Sequence, residues 1–195
     1  MKTSPYRSFG WLPGLFLLLG CDTTEPEPRL KLPAVTSEGA NTLGFEIDER
    51  VWVNYGRGCF GFGGGGCFEN KLQADLSTFN GVRSLSLSAG LATARHQESF
   101  GLRIDTLRGT GTYWAGRPPA SSMPGGVATG ATGLMLTEGR LRQLFVSRAK
   151  STRIVLTRVD TVRRIVSGTF EGRLEEGFTP GTFITIRNGR FDVTY

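Results

Sequence analysis

From residue 42 onward, apolar and polar positions alternate with a period of two. Leu43, Phe45 and Ile47 alternate with Gly44 and Glu46, and Leu72, Ala74 and Leu76 with Gln73 and Asp75. Leu85, Leu87, Ala89 and Leu91 alternate with Ser84, Ser86, Ser88 and Gly90. Phe100, Leu102 and Ile104 follow the same rule, as do Val166, Phe170 and Leu174, and finally Phe191, Val193 and Tyr195. In an extended chain successive side chains point to opposite faces, so each run predicts a strand with one dry and one wet face. Asn80-Gly81 and Asn188-Gly189 sit between such runs, and Asn-Gly accepts the positive φ of a tight hairpin. Asp48-Glu49 and Glu138-Gly139 suit similar bends. Short hairpins join antiparallel neighbours, so the pattern predicts an all-β fold of about nine or ten strands, an antiparallel β-sandwich or a flattened meander barrel. Beyond residue 20 no segment carries a helical period.

Two stretches break the alternation. Residues 109–133 are rich in Gly, Pro, Ala, Ser and Thr, with Tyr113 and Trp114 near the start, and are expected to form a long loop. Residues 56–67 are dominated by glycine, contain Cys59 and end at Cys67. They match G-x-G-x-x-G formally, but no Gly-Lys-Ser/Thr follows and no βαβ pattern surrounds them, so phosphate or dinucleotide binding lacks its context.

The N-terminus is of a different kind. Lys2 and Arg7 precede an apolar stretch from Phe9 to Leu19, and Leu18-Leu19-Gly20-Cys21 follows. A basic start, a short apolar middle and a small residue before the cut mark a secretory signal, 1–20. The cysteine after Gly20 resembles a bacterial lipobox, which implies cleavage before Cys21 and acylation there. Two or more chains at about 0.8 kcal/mol per buried CH₂ hold a protein stably on a membrane. Residues 21–38 begin with a polar run containing Pro26, Pro28 and Pro33 and are expected to be a flexible tether, leaving 39–195 as a single β domain.

Charge alters this picture little. The chain is formally +6, but loss of Lys2 and Arg7 leaves 21 basic and 17 acidic side chains. That excess is too small to indicate a nucleic-acid partner. Residues 138–164 nevertheless carry eight basic and two acidic side chains. Arg140, Arg142, Arg153 and Arg158 are the candidate anion-binding residues of that segment, a patch for envelope glycans or lipid headgroups if they share a face. The other reading is a solvated hairpin whose charges discourage edge pairing.

Candidate chemistry is sparse. With Cys21 acylated, Cys59 and Cys67 remain as a pair, and an exported chain favours a disulfide between them. His96, the only histidine, sits in the polar connection Arg95-His96-Gln97-Glu98 and lacks the elbow of a serine hydrolase. No catalytic residue, metal or cofactor is expected.

Three pieces stand out: Leu32-Pro-Ala-Val-Thr-Ser-Glu-Gly-Ala-Asn-Thr42 with the hairpin ending at Val51-Trp52, Leu156 to Asp160 with Ile165 to Glu171, and Ile184 to Tyr195. Taken together they resemble a family of Bacteroidota lipoproteins with a domain of unknown function. The resemblance implies a source and an architecture and no catalytic residues. The chain is therefore expected to be a lipid-anchored domain of the cell envelope, at the outer membrane, with a non-enzymatic binding or structural role and an envelope glycan or protein as partner. The alternative is a carrier that holds a small apolar or glycan ligand in a barrel mouth framed by Tyr113 and Trp114.

Overall fold

The structure, a computed structural model, describes residues 27–59, 66–115, 133–138 and 143–195. Cys21, Arg140 and Arg142 lie outside the described residues. The described strands are β1 (Thr42–Ile47), β2 (Arg50–Val53), β3 (Arg57–Cys59), β4 (Cys67–Glu69), β5 (Leu72–Phe79), β6 (Val82–Ala92), β7 (Gln97–Ile104), β8 (Gly111–Ala115), β9 (Gly133–Glu138), β10 (Gln143–Asp160), β11 (Ile165–Glu176) and β12 (Phe183–Thr194). The all-β expectation holds. One curled antiparallel sheet runs in the order β2-β1-β12-β11-β10-β9-β7-β6-β5, and β3 and β4 form a separate hairpin. The path is a meander from β5 to β12, with the β1–β2 hairpin added beside β12.

Curling follows from strand twist, which rotates each strand by roughly 20–25° on its neighbour and brings the wings of a wide sheet together. Phe45 on β1 stacks on Trp52 of β2 at 4.8 Å between ring centroids. It also meets Phe100 on β7 at 4.8 Å, although four strands separate β1 from β7 in the sheet. Phe170 on β11 lies 5.2 Å from Phe100. All four rings are buried, and such pairs add about 0.5–1.5 kcal/mol each beyond area burial. The wings also touch through backbone. β6 outruns β5, and Tyr55, just past β2, takes the overhang: its N–H donates to the Gly90 carbonyl (3.1 Å), and the Ala92 N–H donates to the Tyr55 carbonyl (2.8 Å).

Alternation selects the core as expected. Leu43, Phe45, Ile47, Leu85, Leu87, Ala89, Leu91, Phe100, Leu102 and Ile104 are all buried, as are Val166, Phe170 and Leu174. Gly168 allows close packing: a β-carbon there would lie 2.4 Å from the Val155 carbonyl oxygen and 2.9 Å from the Phe191 ring.

Three expectations change. Asn188-Gly189 is not a hairpin turn but a bulge inside β12, where Asn188 takes φ 52° and the pairing with β1 slips between Gly44 and Glu46. The loop expected over 109–133 is strand at Gly111–Ala115, where β8 pairs with β10 from Leu156↔Gly111 to Thr152↔Ala115, and residues 116–132 lie outside the described residues. β8 and β9 share one edge of β10, on either side of a bulge at 148–151 where Lys150 takes φ 56°. Finally, the tether expected over 21–38 is docked chain across its described part. Leu30 packs on the core, and residues 33–41 form a strap across the outer face of the sheet.

Candidate functional site

The strap is held by one carboxylate. Alternation places Asp192 on the wet face of β12, between Phe191 and Val193, yet it is 1% exposed because the strap covers it. One oxygen accepts from the Thr36 hydroxyl (2.7 Å) and the Glu38 and Ala40 amides (2.8 and 3.1 Å). The other accepts from the Gly39 amide (2.9 Å) and the Ser167 hydroxyl (2.7 Å). Burial alone would raise its pKa, but these donors prevail and hold the carboxyl well below the usual range. Asn41 completes the latch by accepting from the Thr194 amide and hydroxyl, both at 2.9 Å. The strap thus ties the start of the body to its last strand.

A shallow cleft of about 210 Å³ lies beside the strap, lined by Val35, Arg153, Val155, Thr169, Glu171 and Arg190 among others. Arg153 donates to Glu171 on β11 (2.6 Å). Arg190 donates to the carbonyls of Asn188 (3.0 Å) and Pro33 (3.3 Å). Arg158 lies elsewhere, bound to Asp160 (2.6 Å) and to the Ser37 carbonyl of the strap. Arg148, further along β10, pairs with Glu175 (2.7 Å). The described arginines of the basic segment therefore do not form one unopposed face: Arg153 and Arg158 each hold a carboxylate, and Arg158 serves the strap. Arg190 at the cleft lies outside the basic segment 138–164. Its charge is ordinary on an outward position, and only the fold places it against Pro33.

A second cluster sits where β2 meets β7. Glu98 shares parity with Phe100 and so points inward, and it is 2% exposed. Arg50 Nη1 donates to both of its oxygens (2.9 and 3.0 Å), and His96 Nδ1 lies 3.1 Å from one of them. His96 stands in the β6–β7 turn, half exposed, where its amide donates to the Thr93 hydroxyl. The cluster joins the two wings of the sheet. Among the described residues, no group of three His, Cys, Asp or Glu side chains could hold a metal ion.

Cys59 and Cys67 form the expected disulfide, across a directly opposed pair in the β3–β4 hairpin. The hairpin leans on the start of β7, where the Gln97 side-chain Nε2 donates to the Cys59 carbonyl (2.9 Å). Tyr113 is tied in place by accepting from the Arg108 amide (3.0 Å) and donating to the Gly109 carbonyl (2.7 Å), whereas Trp114 beside it is 58% exposed. Comparisons with protein-family models, with curated proteins and with solved structures find no match to this chain. The family resemblance noted above gains no support from them.

Proposed function

We propose that this protein is an exported, lipid-anchored domain of the cell envelope with a non-enzymatic binding or structural role. The observation that carries the reading is continuity: Leu18-Leu19-Gly20-Cys21 stands six residues before Glu27, where the chain is already fastened to the body. A lipid at Cys21 would then hold a folded domain on a short leash at the outer membrane. The disulfide supports an oxidising compartment. Binding to an envelope glycan or protein would use the cleft edged by Arg153 and Arg190. The carrier alternative is the weaker, since Phe45, Phe100 and Phe170 occupy the interior at ring spacings that leave no room for a ligand among them.

The test is metabolic labelling with an alkyne fatty acid, followed by membrane fractionation. Wild type is expected to take the label and partition with envelope membranes, and Cys21→Ser to lose both. Label retained by Cys21→Ser, or an unlipidated cytosolic wild type, would overturn the proposal.

A further inference from the structure

The described chain begins at one pole of the body. Glu27 accepts from the Arg95 amide (2.9 Å) in the turn between β6 and β7. Around that turn stand Tyr55, which bridges to Leu91, and the disulfide hairpin, which Gln97 holds through the Cys59 carbonyl. Tyr55 is 42% exposed and Phe68 37%. Lys71 lies 5.5 Å from the centre of the Phe68 ring. Arg57 and Arg95 are exposed beside them, opposed by Glu69 and Glu27.

We infer that this pole rests on the headgroup layer of the membrane that carries the anchor, an inference that depends on the lipidation proposed above. Six residue steps lead from Cys21 to Glu27, and a fully extended chain covers at most about 3.6 Å per step, roughly 22 Å in all. A compact domain of this size has a radius of gyration near 15 Å and a diameter of about 40 Å. β6 alone runs about 33 Å from Ala92 to Val82, so the β5–β6 turn at its far end is beyond the leash. The β10–β11 turn, at the far end of the strap, is likewise remote. Among the described residues, the pole around Arg95 is the part that can meet the bilayer without undocking residues 27–41. Its chemistry suits the interface: half-exposed aromatic rings and basic side chains with long apolar stems favour the headgroup region. The strap latch then does more than tie residues 36–41 to β12, because it helps fix the point at which the leash leaves the body.

The experiment uses the full lipidated chain, reconstituted in vesicles of phosphatidylethanolamine and phosphatidylglycerol. A keto amino acid at position 71, 79, 95 or 162, coupled to a dye, leaves the disulfide undisturbed. Quenching by headgroup-nitroxide lipid is read at each site. Dyes at 71 and 95 are expected to be quenched at least threefold more than those at 79 and 162. Inserting about 20 Gly-Ser residues between Cys21 and Glu27 should remove most of that difference. Equal quenching at all four positions, or the reverse order, would overturn the inference while leaving lipidation intact. So would a preference undiminished by the insertion, since the short leash would not be its cause. Mass spectrometry of the same sample separates the two claims: a chain that carries no lipid at Cys21 defeats both.

Discussion

Replacing Asp192 with Asn tests the latch most directly. The carboxylate accepts five hydrogen bonds, three on one oxygen and two on the other. An asparagine keeps the shape but offers one carbonyl oxygen. If that oxygen takes the place facing Thr36, Glu38 and Ala40, the amide nitrogen faces the Gly39 N–H and the Ser167 hydroxyl. Ser167 can turn to accept, whereas the Gly39 N–H cannot. A buried donor left without a partner costs about 1–3 kcal/mol, and the remaining bonds lose charge assistance, which is worth around 1 kcal/mol apiece. The strap can limit the loss by peeling away into water, so its docking energy is the ceiling. A destabilisation of about 3 kcal/mol is expected, lowering Tm by roughly 6–12 °C for a domain of this size. Hydrogen exchange should locate the effect at the amides of 38–40 and at Thr194. The pH dependence has a definite sign. The unfolded carboxyl titrates near its usual value of about 3.9 and the folded one lower, so the latch contributes fully above that value and is lost as pH falls through the folded pKa. In Asp192→Asn that part of the acid sensitivity should vanish. Unchanged exchange at 38–40, with Tm within 1 °C of wild type, would refute the reasoning.

Other substitutions test other joints. Gly168→Ala places a β-carbon 2.4 Å from a backbone oxygen that cannot move freely, and a loss of about 3 kcal/mol is expected in urea unfolding; a neutral outcome would mean β10 and β11 separate easily there. Cys59→Ser with Cys67→Ser opens a nine-residue loop, worth about 2.5 kcal/mol by chain entropy. Because, among the described strands, β3 and β4 pair with each other and with no third strand, faster exchange should be confined to the hairpin, and a global loss equal to that of Asp192→Asn would contradict this. Arg50→Ala leaves Glu98 buried with His96 as its remaining described partner, and about 1–3 kcal/mol should be lost, with Arg50 a third exposed and its share screened accordingly. A double-mutant cycle with Glu98→Gln should recover part of that loss, and strict additivity would show that the pair does not couple the wings.

Strand parity was the legible part of the fold because it depends only on which face of each strand is dry. The same rule, carried two residues back from Phe100, points Glu98 inward, although in sequence it reads as part of a polar connection. Dipeptide chemistry was legible only in part. Asn80 and Asn188 have nearly the same φ, 49° and 52°, yet one pair turns the chain and the other bulges within a strand. Asn-Gly reports that a positive φ is affordable, and the partner strands decide its use. At Gly189 that decision is set by Phe170, whose carbonyl oxygen would lie 2.4 Å from a β-carbon. Asp192 was not legible at all. Its partners on the strap lie more than 150 residues away, and nothing local distinguishes it from any other polar residue on a wet face.

The arginines illustrate why a charged segment is the wrong unit for a sheet. Residues 138–164 are strongly basic when counted along the chain, but β10 does not face water alone. Arg153 stands opposite Glu171 in the β10–β11 register, and Arg148 reaches Glu175 on the same neighbour. The field that such a row presents to a ligand is the sum over both strands, and the acids of β11 cancel much of what β10 carries. Exposed pairs of this kind add little to stability, about 0–1 kcal/mol each. Opposite charges facing each other do penalise slipped registers, in which like charges would meet. That matters for a strand of 18 residues that must hold β11 on one edge and both β8 and β9 on the other while accommodating a bulge between them. The basic run is thus accounted for by the register of β10. Any anion that binds here must compete with a carboxylate already in place, and the opening for it is Arg190, whose described partners are carbonyl oxygens.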